Sequence, residues 1–267
     1  MNWARAKNLC LIFLILLNVF LFIMINISGD KYKLDNTSVN AIQNLLLKNN
    51  IKCEKMMVKF YPKKQLILSN SEVDKDKLAK IFFKGENFSY ENNCIFNEQK
   101  RLKLLNNGFE CEFFKTKQYD NDKKIKEICN LIVKKIKDPD TNFVLDKEKL
   151  DEIVEYRQKF HSMIIIDNFV RFEILDGCIK KIVYEYSPVA NFFGTSYEIK
   201  SPDVILFEFM KNDDVVKKNG VKINKFDLTY KIMEENLGYL FAIPCYRFIY
   251  DNNFEILFDA YSGKVCT

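Results

Sequence analysis

A run of nineteen residues without a charged side chain lies near the start of the chain. Residues Leu9–Ile27 read LCLIFLILLNVFLFIMINI, and only Asn18 and Asn26 interrupt the apolar side chains. A helix of that length rises about 28 Å, close to the thickness of the hydrocarbon layer of a bilayer. The sequence therefore predicts one transmembrane helix over residues 8–27, preceded by a short basic segment, Met1–Lys7.

A cleaved signal peptide is the alternative to a membrane anchor. Signal peptides have a shorter apolar core, about 7–15 residues, which ends at an A-x-A-like cleavage site. The run in this chain is longer, and residues 25–30 contain no such pattern. We therefore favour an anchor that stays attached to the protein.

The charges that flank the run bear on its orientation in the membrane. Arg5 and Lys7 precede it, and Lys31 and Lys33 follow it closely. Cytoplasmic flanks usually carry the excess of Lys and Arg, so these near-equal counts favour a cytoplasmic N terminus only slightly. In that orientation residues 1–7 are cytoplasmic and residues 28–267 are extracytoplasmic.

The composition of the chain excludes several classes of protein. Its 41 Lys and Arg residues are interspersed with 36 Asp and Glu residues, so no basic patch for nucleic acid is predicted. Eight cysteines occur without a C-x-x-C pair, and His161 is the only histidine, which argues against a metal site. Several cysteines have apolar neighbours, as Cys129 does, and we expect them to be buried free thiols.

Periodic apolar patterns outside the run predict both helices and strands. Helical spacing predicts helices over residues 39–48, 74–83, 120–137 and 202–210, and a further helix over Lys147–Phe160. Strand patterns fill most of the remainder, including Ile51–Tyr61, and Asp176-Gly177 is a two-residue hairpin signal.

The order of these elements predicts an α+β fold. Helix followed by several strands occurs twice, and the strands follow one another instead of alternating with helices, which favours antiparallel sheets. We therefore predict an N-terminal transmembrane helix and two extracytoplasmic antiparallel-sheet-plus-helix domains, residues 28–120 and 121–267. The second domain is expected to end in a hairpin formed by residues 245–250 and 254–260.

A search for catalytic patterns finds no convincing motif. The chain contains no G-x-S-x-G, no H-E-x-x-H and no glycine-rich phosphate loop. We therefore expect a protein that is not an enzyme and that needs no cofactor. The 24 Phe and 13 Tyr residues leave one alternative open, because aromatic side chains can line a groove for a lipid, a peptide or a cell-wall fragment as well as fill a core.

Two residues in or beside the apolar run are candidates for interactions in the membrane. Asn18 lies in the middle of the run, where an amide prefers a partner on another helix, although one amide is also tolerated by a lone helix. Trp3 lies near the cytoplasmic end, where tryptophan is typical of the membrane interface.

Several short motifs along the chain occur in the same order as in one family. They are Met1-Asn2-Trp3 before the apolar run, Leu17-Asn18 within it, Leu47-Lys48-Asn49-Asn50-Ile51, Leu78-Ala79-Lys80-Ile81-Phe82-Phe83, Tyr156-Arg157-Gln158-Lys159-Phe160, Leu237-Gly238-Tyr239, Ile243-Pro244-Cys245-Tyr246-Arg247-Phe248 and Phe258-Asp259-Ala260-Tyr261-Ser262-Gly263-Lys264-Val265. Together they resemble the YycI-type regulatory proteins, which accompany the WalK–WalR two-component system of Gram-positive bacteria. The last motif also resembles the closing hairpin of PepSY-like modules. The many cysteines and the insertion-like Asn191-Phe192-Phe193-Gly194 depart from the family pattern.

The resemblance implies a single-pass protein of the cell membrane with an extracytoplasmic α+β portion. Its implied partners are a WalK-like sensor histidine kinase, a YycH-like protein and the lipid bilayer. The implied function is that of an accessory regulator, which modulates the kinase through transmembrane and ectodomain contacts. No catalytic, cofactor or metal-binding residue is carried over from the family.

Overall fold

The structure is a computed structural model that describes residues 3–119, 121–149, 152–212, 215, 220–236, 239–251 and 253–266. Met1 and Asn2 of the opening motif and Leu237-Gly238 of the tail motif lie outside the described residues. The same holds for residue 120, at which one predicted helix starts.

The chain is α+β, as the sequence predicts, and its strands are mostly antiparallel. The helices are α1 (Trp3–Asp30), α2 (Asn36–Lys48), α3 (Lys75–Phe82), α4 (Asp122–Ile136) and α5 (Pro202–Lys211). The strands are β1 (Ile51–Cys53), β2 (Lys63–Leu68), β3 (Ser89–Glu91), β4 (Cys94–Phe96), β5 (Lys100–Leu105), β6 (Gly108–Phe113), β7 (Phe143–Lys149), β8 (Ile153–Phe160), β9 (Met163–Leu175), β10 (Cys178–Glu185), β11 (Val189–Tyr197), β12 (Val221–Asn236), β13 (Tyr239–Tyr250) and β14 (Phe254–Asp259).

Local signals in the sequence set several of these boundaries. The Asp35 carboxylate accepts a hydrogen bond from the Ser38 backbone N–H at 2.9 Å and so caps the first turn of α2. Pro202 occupies the first turn of α5, where its missing N–H costs nothing. Asp176 and Gly177 both adopt positive φ between β9 and β10, as a two-residue hairpin requires.

Two of the predicted elements are wrong. The helix predicted over Lys147–Phe160 is instead the end of β7 and the whole of β8. Val154 is buried on one face of β8, and Glu155 and Arg157 are buried on the other, so tertiary burial of both faces overrides the many helix-favouring Lys and Glu residues. The strand predicted over Ile51–Tyr61 stops at Cys53.

The chain divides into two compact units, each built from separated stretches. The first unit contains Met1–Lys63, Tyr197–Asp227 and Arg247–Thr267, and the second contains Lys64–Ser196 and Leu228–Tyr246. This division does not follow the predicted boundary between residues 120 and 121, because β6 on one side of that boundary pairs with β10 on the other.

The second unit is built on an antiparallel meander. Its hydrogen-bonded strands follow the order β7-β8-β9-β10-β6-β5-β4-β3. One sheet face packs against α3 and α4, and the buried side chains shared by sheet and helices include Leu78, Phe82, Leu102, Cys111, Ile125, Cys129, Val154, Phe172 and Ile182. This shared core places both helices on the same face and leaves the opposite face of β5, β6 and β10 to polar side chains.

The first unit is organised around stacked aromatic rings. The ring of Phe248 on β13 lies 4.4 Å from that of Phe209 on α5 and 4.4 Å from that of Phe226 on β12, both nearly parallel. β1 pairs in parallel with the start of β12, and the segment after β14 closes with a turn at Ser262-Gly263.

The buried thiols of the second unit predict a pH-dependent stability. Cys111 and Cys129 are buried free thiols, and burial raises the pKa of each to about 12. An unfolded thiol loses its proton near its ordinary pKa of about 8.5, so above that pH the unfolded state releases protons that the folded state retains. The contribution of these two thiols to the free energy of unfolding is therefore fully present below pH 8. It is lost as the pH rises towards 12.

Between pH 7.5 and 9.5 each of these thiols is expected to remove about 1 kcal/mol from the free energy of unfolding. Urea unfolding at the two pH values under reducing conditions measures this loss. The Cys129→Ala variant serves as the control, since it should lose less stability than the parent over the same interval. An equal pH dependence in parent and variant would contradict the assignment.

Candidate functional site at the membrane helix and its exit

Helix α1 carries the predicted membrane span and extends beyond it at both ends. It runs from Trp3 to Asp30, whereas the sequence predicts residues 8–27. Among the described residues it is the one helix long and apolar enough to cross a membrane, and none of the window Lys7–Met24 is buried against the rest of the protein. Its apolar surface is therefore left for lipid or for another helix.

Asn18 is exposed on α1 and makes one local hydrogen bond. Its side-chain amide Nδ2 donates to the backbone carbonyl oxygen of Leu14, one turn earlier, at 2.8 Å. The bond satisfies one N–H and lowers the cost of an amide that faces lipid. Within the described part of the chain, the Asn18 Oδ1 atom has no partner and remains able to accept a hydrogen bond from a neighbouring helix. Its role in such a contact stays a prediction.

Trp3 lies at the first residue of α1 and is largely exposed. The ammonium group of Lys7, one turn later, lies 5.6 Å from the centre of the indole ring. An aromatic ring beside a lysine is typical of residues at the level of the lipid headgroups. The interfacial role of Trp3 likewise stays a prediction.

The residues that directly follow α1 form backbone hydrogen bonds with residues 58–60 of the first unit. The Leu34 N–H donates to the Val58 carbonyl oxygen at 2.9 Å, and the Phe60 N–H donates to that of Tyr32 at 3.0 Å. Lys33 and Lys59 face each other in this short antiparallel bridge. Residues 58–60, which the sequence assigns to the strand Ile51–Tyr61, therefore pair with residues 32–34 and are not part of β1.

An ion pair ties the same exit to the segment that follows β11. The Lys31 ammonium donates to Glu198 Oε1 at 2.7 Å, and the Tyr32 hydroxyl approaches the same oxygen at 3.3 Å. The hydrogen bond and the charge of Lys31 lower the pKa of the Glu198 carboxyl, and the pKa of Lys31 is raised in return. Both groups are exposed, so the pair positions the exit without adding much stability.

Four tyrosines lie on the segments that meet at this exit, and we name them the tyrosine collar: Tyr32, Tyr61, Tyr197 and Tyr261. The rings of Tyr32 and Tyr61 lie 6.1 Å apart, and those of Tyr197 and Tyr261 lie 5.9 Å apart. The Tyr261 hydroxyl donates to the backbone carbonyl oxygen of Lys63 at 3.0 Å, which joins the second pair to the segment of the first. Tyr61 and Tyr197 are 44% and 49% exposed.

Strand β11 in the second unit carries the motif that departs from the family pattern. It stands at the end of the strand order, and β2 is its partner among the strands that the structure describes. Phe192 and Phe193 are exposed on it, and the strand contains no charged residue. The Phe192 ring stacks on His161 at 6.1 Å, so the only histidine belongs to a surface aromatic cluster.

The sheet face opposite α3 and α4 is where a ligand of the ectodomain, the alternative function, could bind. Arg101, Glu112, Lys181 and Glu173 face one another in sequence across β5, β6, β10 and β9, so opposite charges alternate. A cleft of about 190 Å³ on this face is lined by charged side chains. A second cleft, about 400 Å³, is of mixed polarity and includes Arg101. Neither is the continuous apolar pocket that a lipid would need.

The tyrosine collar cannot be recognised in the sequence, because its members come from separate parts of the chain. The sequence places tyrosine next to a charged residue in Lys31-Tyr32, just after the apolar run, and in Tyr197-Glu198, far along the chain. Nothing in the sequence shows that these pairs meet.

Comparison with known proteins shows that this chain shares a fold with solved structures. No protein-family model matches the chain, and a search of curated proteins found no match. The structure is similar to that of an uncharacterized protein from Eubacterium rectale, with TM-score 0.50, 12% identity, and coverage of 81% of this chain and 89% of that one. It is also similar to YycH from Bacillus subtilis, with TM-score 0.51 and 10% identity over 75% of this chain.

The match covers 54% of the YycH chain, so this protein spans about half of that structure. A looser similarity, with TM-score 0.37 and 11% identity, covers 88% of this chain and 96% of the Bacillus megaterium YpeB C-terminal domain. At these identities the comparisons establish a YycH-like fold, and the resemblance to the YycI-type proteins stays a prediction from sequence.

Proposed function

We propose that this protein is a membrane-anchored accessory regulator that modulates a WalK-like sensor histidine kinase and catalyses no reaction itself. The observation that carries the proposal is the exposed helix α1 with an amide at its middle. The YycH-like fold of the remaining chain supports it, as do the sequence motifs that resemble the YycI-type proteins. In this proposal residues 1–7 are cytoplasmic, and the bulk of the chain is extracytoplasmic.

Regulation through α1 requires that the helix contact one state of the kinase more strongly than another. A contact of equal strength in both states would leave their populations unchanged. An interhelical hydrogen bond to an amide contributes about 0.6–2 kcal/mol, which corresponds to a factor of about 3–30 in the equilibrium between two states. One contact from Asn18 is therefore enough to bias a kinase whose two states differ little in free energy.

Strand β11 is the surface through which we expect the ectodomain to contact its partner. An edge strand presents unpaired backbone groups to which a strand of a YycH-like partner can add, and exposed aromatic side chains such as Phe193 supply apolar area. The absence of charged residues from β11 removes the usual protection against such pairing.

The Asn18→Leu variant tests the role of the helix. We expect association with the kinase in membranes to weaken about 3- to 30-fold, because the interhelical hydrogen bond is lost while the helix still inserts. Energy transfer between fluorophores on the two proteins in proteoliposomes measures the association, and transcription of a kinase target gene measures the output.

A matched control moves the amide without changing the composition of α1. The double variant Leu17→Asn/Asn18→Leu turns the amide about 100° around the helix axis. We expect this variant to associate as weakly as Asn18→Leu, since the contact depends on the face of the helix. Unchanged association and unchanged transcription in the Asn18→Leu variant would remove Asn18 from the mechanism.

A further inference from the structure

The exit of α1 brings together the side chains that characterise a membrane interface. Tyr32 follows the last apolar residue of the run by five positions, so it lies at most about 11 Å beyond the end of the hydrocarbon-spanning segment. The bridge between residues 32–34 and 58–60 fixes Tyr61 beside it. The Lys31–Glu198 ion pair places Tyr197, the neighbour of Glu198 in the chain, at the same exit.

The chemistry of this collar matches the headgroup layer. Tyrosine rings are amphipathic and are enriched at the boundary between hydrocarbon and water. Lys33, Lys59 and Lys63 lie on the segments that carry the collar, and lysine side chains at such a boundary extend towards lipid phosphates. Tyr61 and Tyr197 are the exposed members, so they have surface left to contact lipid.

We propose that the tyrosine collar lies in the phospholipid headgroup layer of the membrane that α1 crosses, and that it holds the first unit at a fixed orientation to that membrane. The proposal rests on the membrane anchor of the proposed function, and it adds a second contact with the bilayer beside that of α1. A tyrosine-rich surface at the end of a membrane helix would turn any rotation or tilt of α1 into a movement of the first unit.

Single-tryptophan variants of the full chain in vesicles of phosphatidylcholine and phosphatidylglycerol test the proposal. Trp3 is the only tryptophan, so the Trp3→Phe background is free of interfering fluorescence. In this background Tyr61→Trp reports on the collar, Ile15→Trp reports on the middle of α1, and Phe254→Trp serves as the control. Phe254 is exposed and lies at the far end of β14 from the turn that carries Tyr261, about 17 Å away along the strand.

Brominated lipids quench tryptophan according to its depth in the bilayer. We expect the Tyr61→Trp variant to be quenched several-fold more strongly than the Phe254→Trp variant by bromine near the headgroup end of the acyl chain. The Ile15→Trp variant should be quenched most by bromine near the bilayer centre. Quenching of Ile15→Trp together with equal quenching of Tyr61→Trp and Phe254→Trp would overturn the collar proposal while leaving the anchor intact.

Absence of quenching in the Ile15→Trp variant would overturn the anchor and the collar together. Should the Tyr61→Trp variant fail to fold, as judged by circular dichroism, Tyr197→Trp provides an independent position on the collar with the same expectation. Quenching of Tyr197→Trp no stronger than that of Phe254→Trp would then overturn the proposal.

Discussion

The Asp227→Ala variant is expected to lose about 3–5 kcal/mol of the free energy of unfolding. Asp227 holds the guanidinium of Arg247 in a two-point contact, Nε to Oδ1 at 2.9 Å and Nη2 to Oδ2 at 2.8 Å. The Arg247 side chain is fully buried, so removal of this carboxylate takes a two-point, charge-assisted contact from a desolvated cation. Chemical denaturation of the full chain in detergent measures the loss.

The chain offers a matched control for this variant. The exposed Lys225 ammonium lies 3.4 Å from the same carboxylate, and Lys225→Ala should cost no more than about 1 kcal/mol, as is usual for exposed ion pairs. Glu255 lies 3.9 Å from the guanidinium and retains part of the counter-charge, so Asp227→Ala/Glu255→Gln should cost more than Asp227→Ala alone. Equal losses in Asp227→Ala and Lys225→Ala would contradict the explanation.

The Gly108→Ala variant is expected to lose about 3 kcal/mol or more, because the added methyl group cannot be accommodated between two paired strands. A Cβ atom at Gly108 would lie 1.8 Å from the carbonyl oxygen of Tyr184 and 2.8 Å from its carbonyl carbon. Both are backbone atoms of β10, so β6 and β10 must separate. The core contact between Phe109 and Tyr184, whose rings lie 5.4 Å apart, would be disturbed as well.

Gly85→Ala is the control for this second substitution. Gly85 has a φ of +75° and no atom within 4 Å of an added Cβ, so alanine there bears only the conformational cost of about 1–2 kcal/mol. Thermal or chemical unfolding of both variants separates a steric clash from a general cost of replacing glycine. A loss in Gly108→Ala no larger than that in Gly85→Ala would show that β6 and β10 tolerate the methyl group.

Much of the secondary structure was predictable from local sequence. Asp35 and Ser38, Pro202, and Asp176-Gly177 each act on the backbone within a few residues, and the structure contains the helix start predicted at residue 202 and the predicted hairpin. The segment Lys147–Phe160 was not predictable in this way. Its strand is stabilised by burial of Val154 on one face and of Glu155 and Arg157 on the other, and the Glu155 carboxylate accepts from Arg157 Nε at 2.7 Å.

The candidate site likewise contains residues that the sequence could identify and residues that it could not. Asn18 and Trp3 could be chosen from sequence, because their significance depends on their place in a continuous apolar helix. The tyrosine collar and the pairing of Asp227 with Arg247 could not, since both depend on the meeting of distant segments. The motif that contains Arg247 was visible in the sequence, but its burial was not.

The sequence by itself determined that one helix can span a membrane, that the remainder is α+β and that the cysteines are suited to burial as free thiols. These properties follow from hydrophobic length, local periodicity and composition, which act over a few residues at a time. Tertiary structure alone decided which strands pair across residue 120, which charges are buried, and which tyrosines meet near the helix exit. Those outcomes depend on contacts between residues far apart in the chain, whose free energies are realised only when the whole sheet has formed.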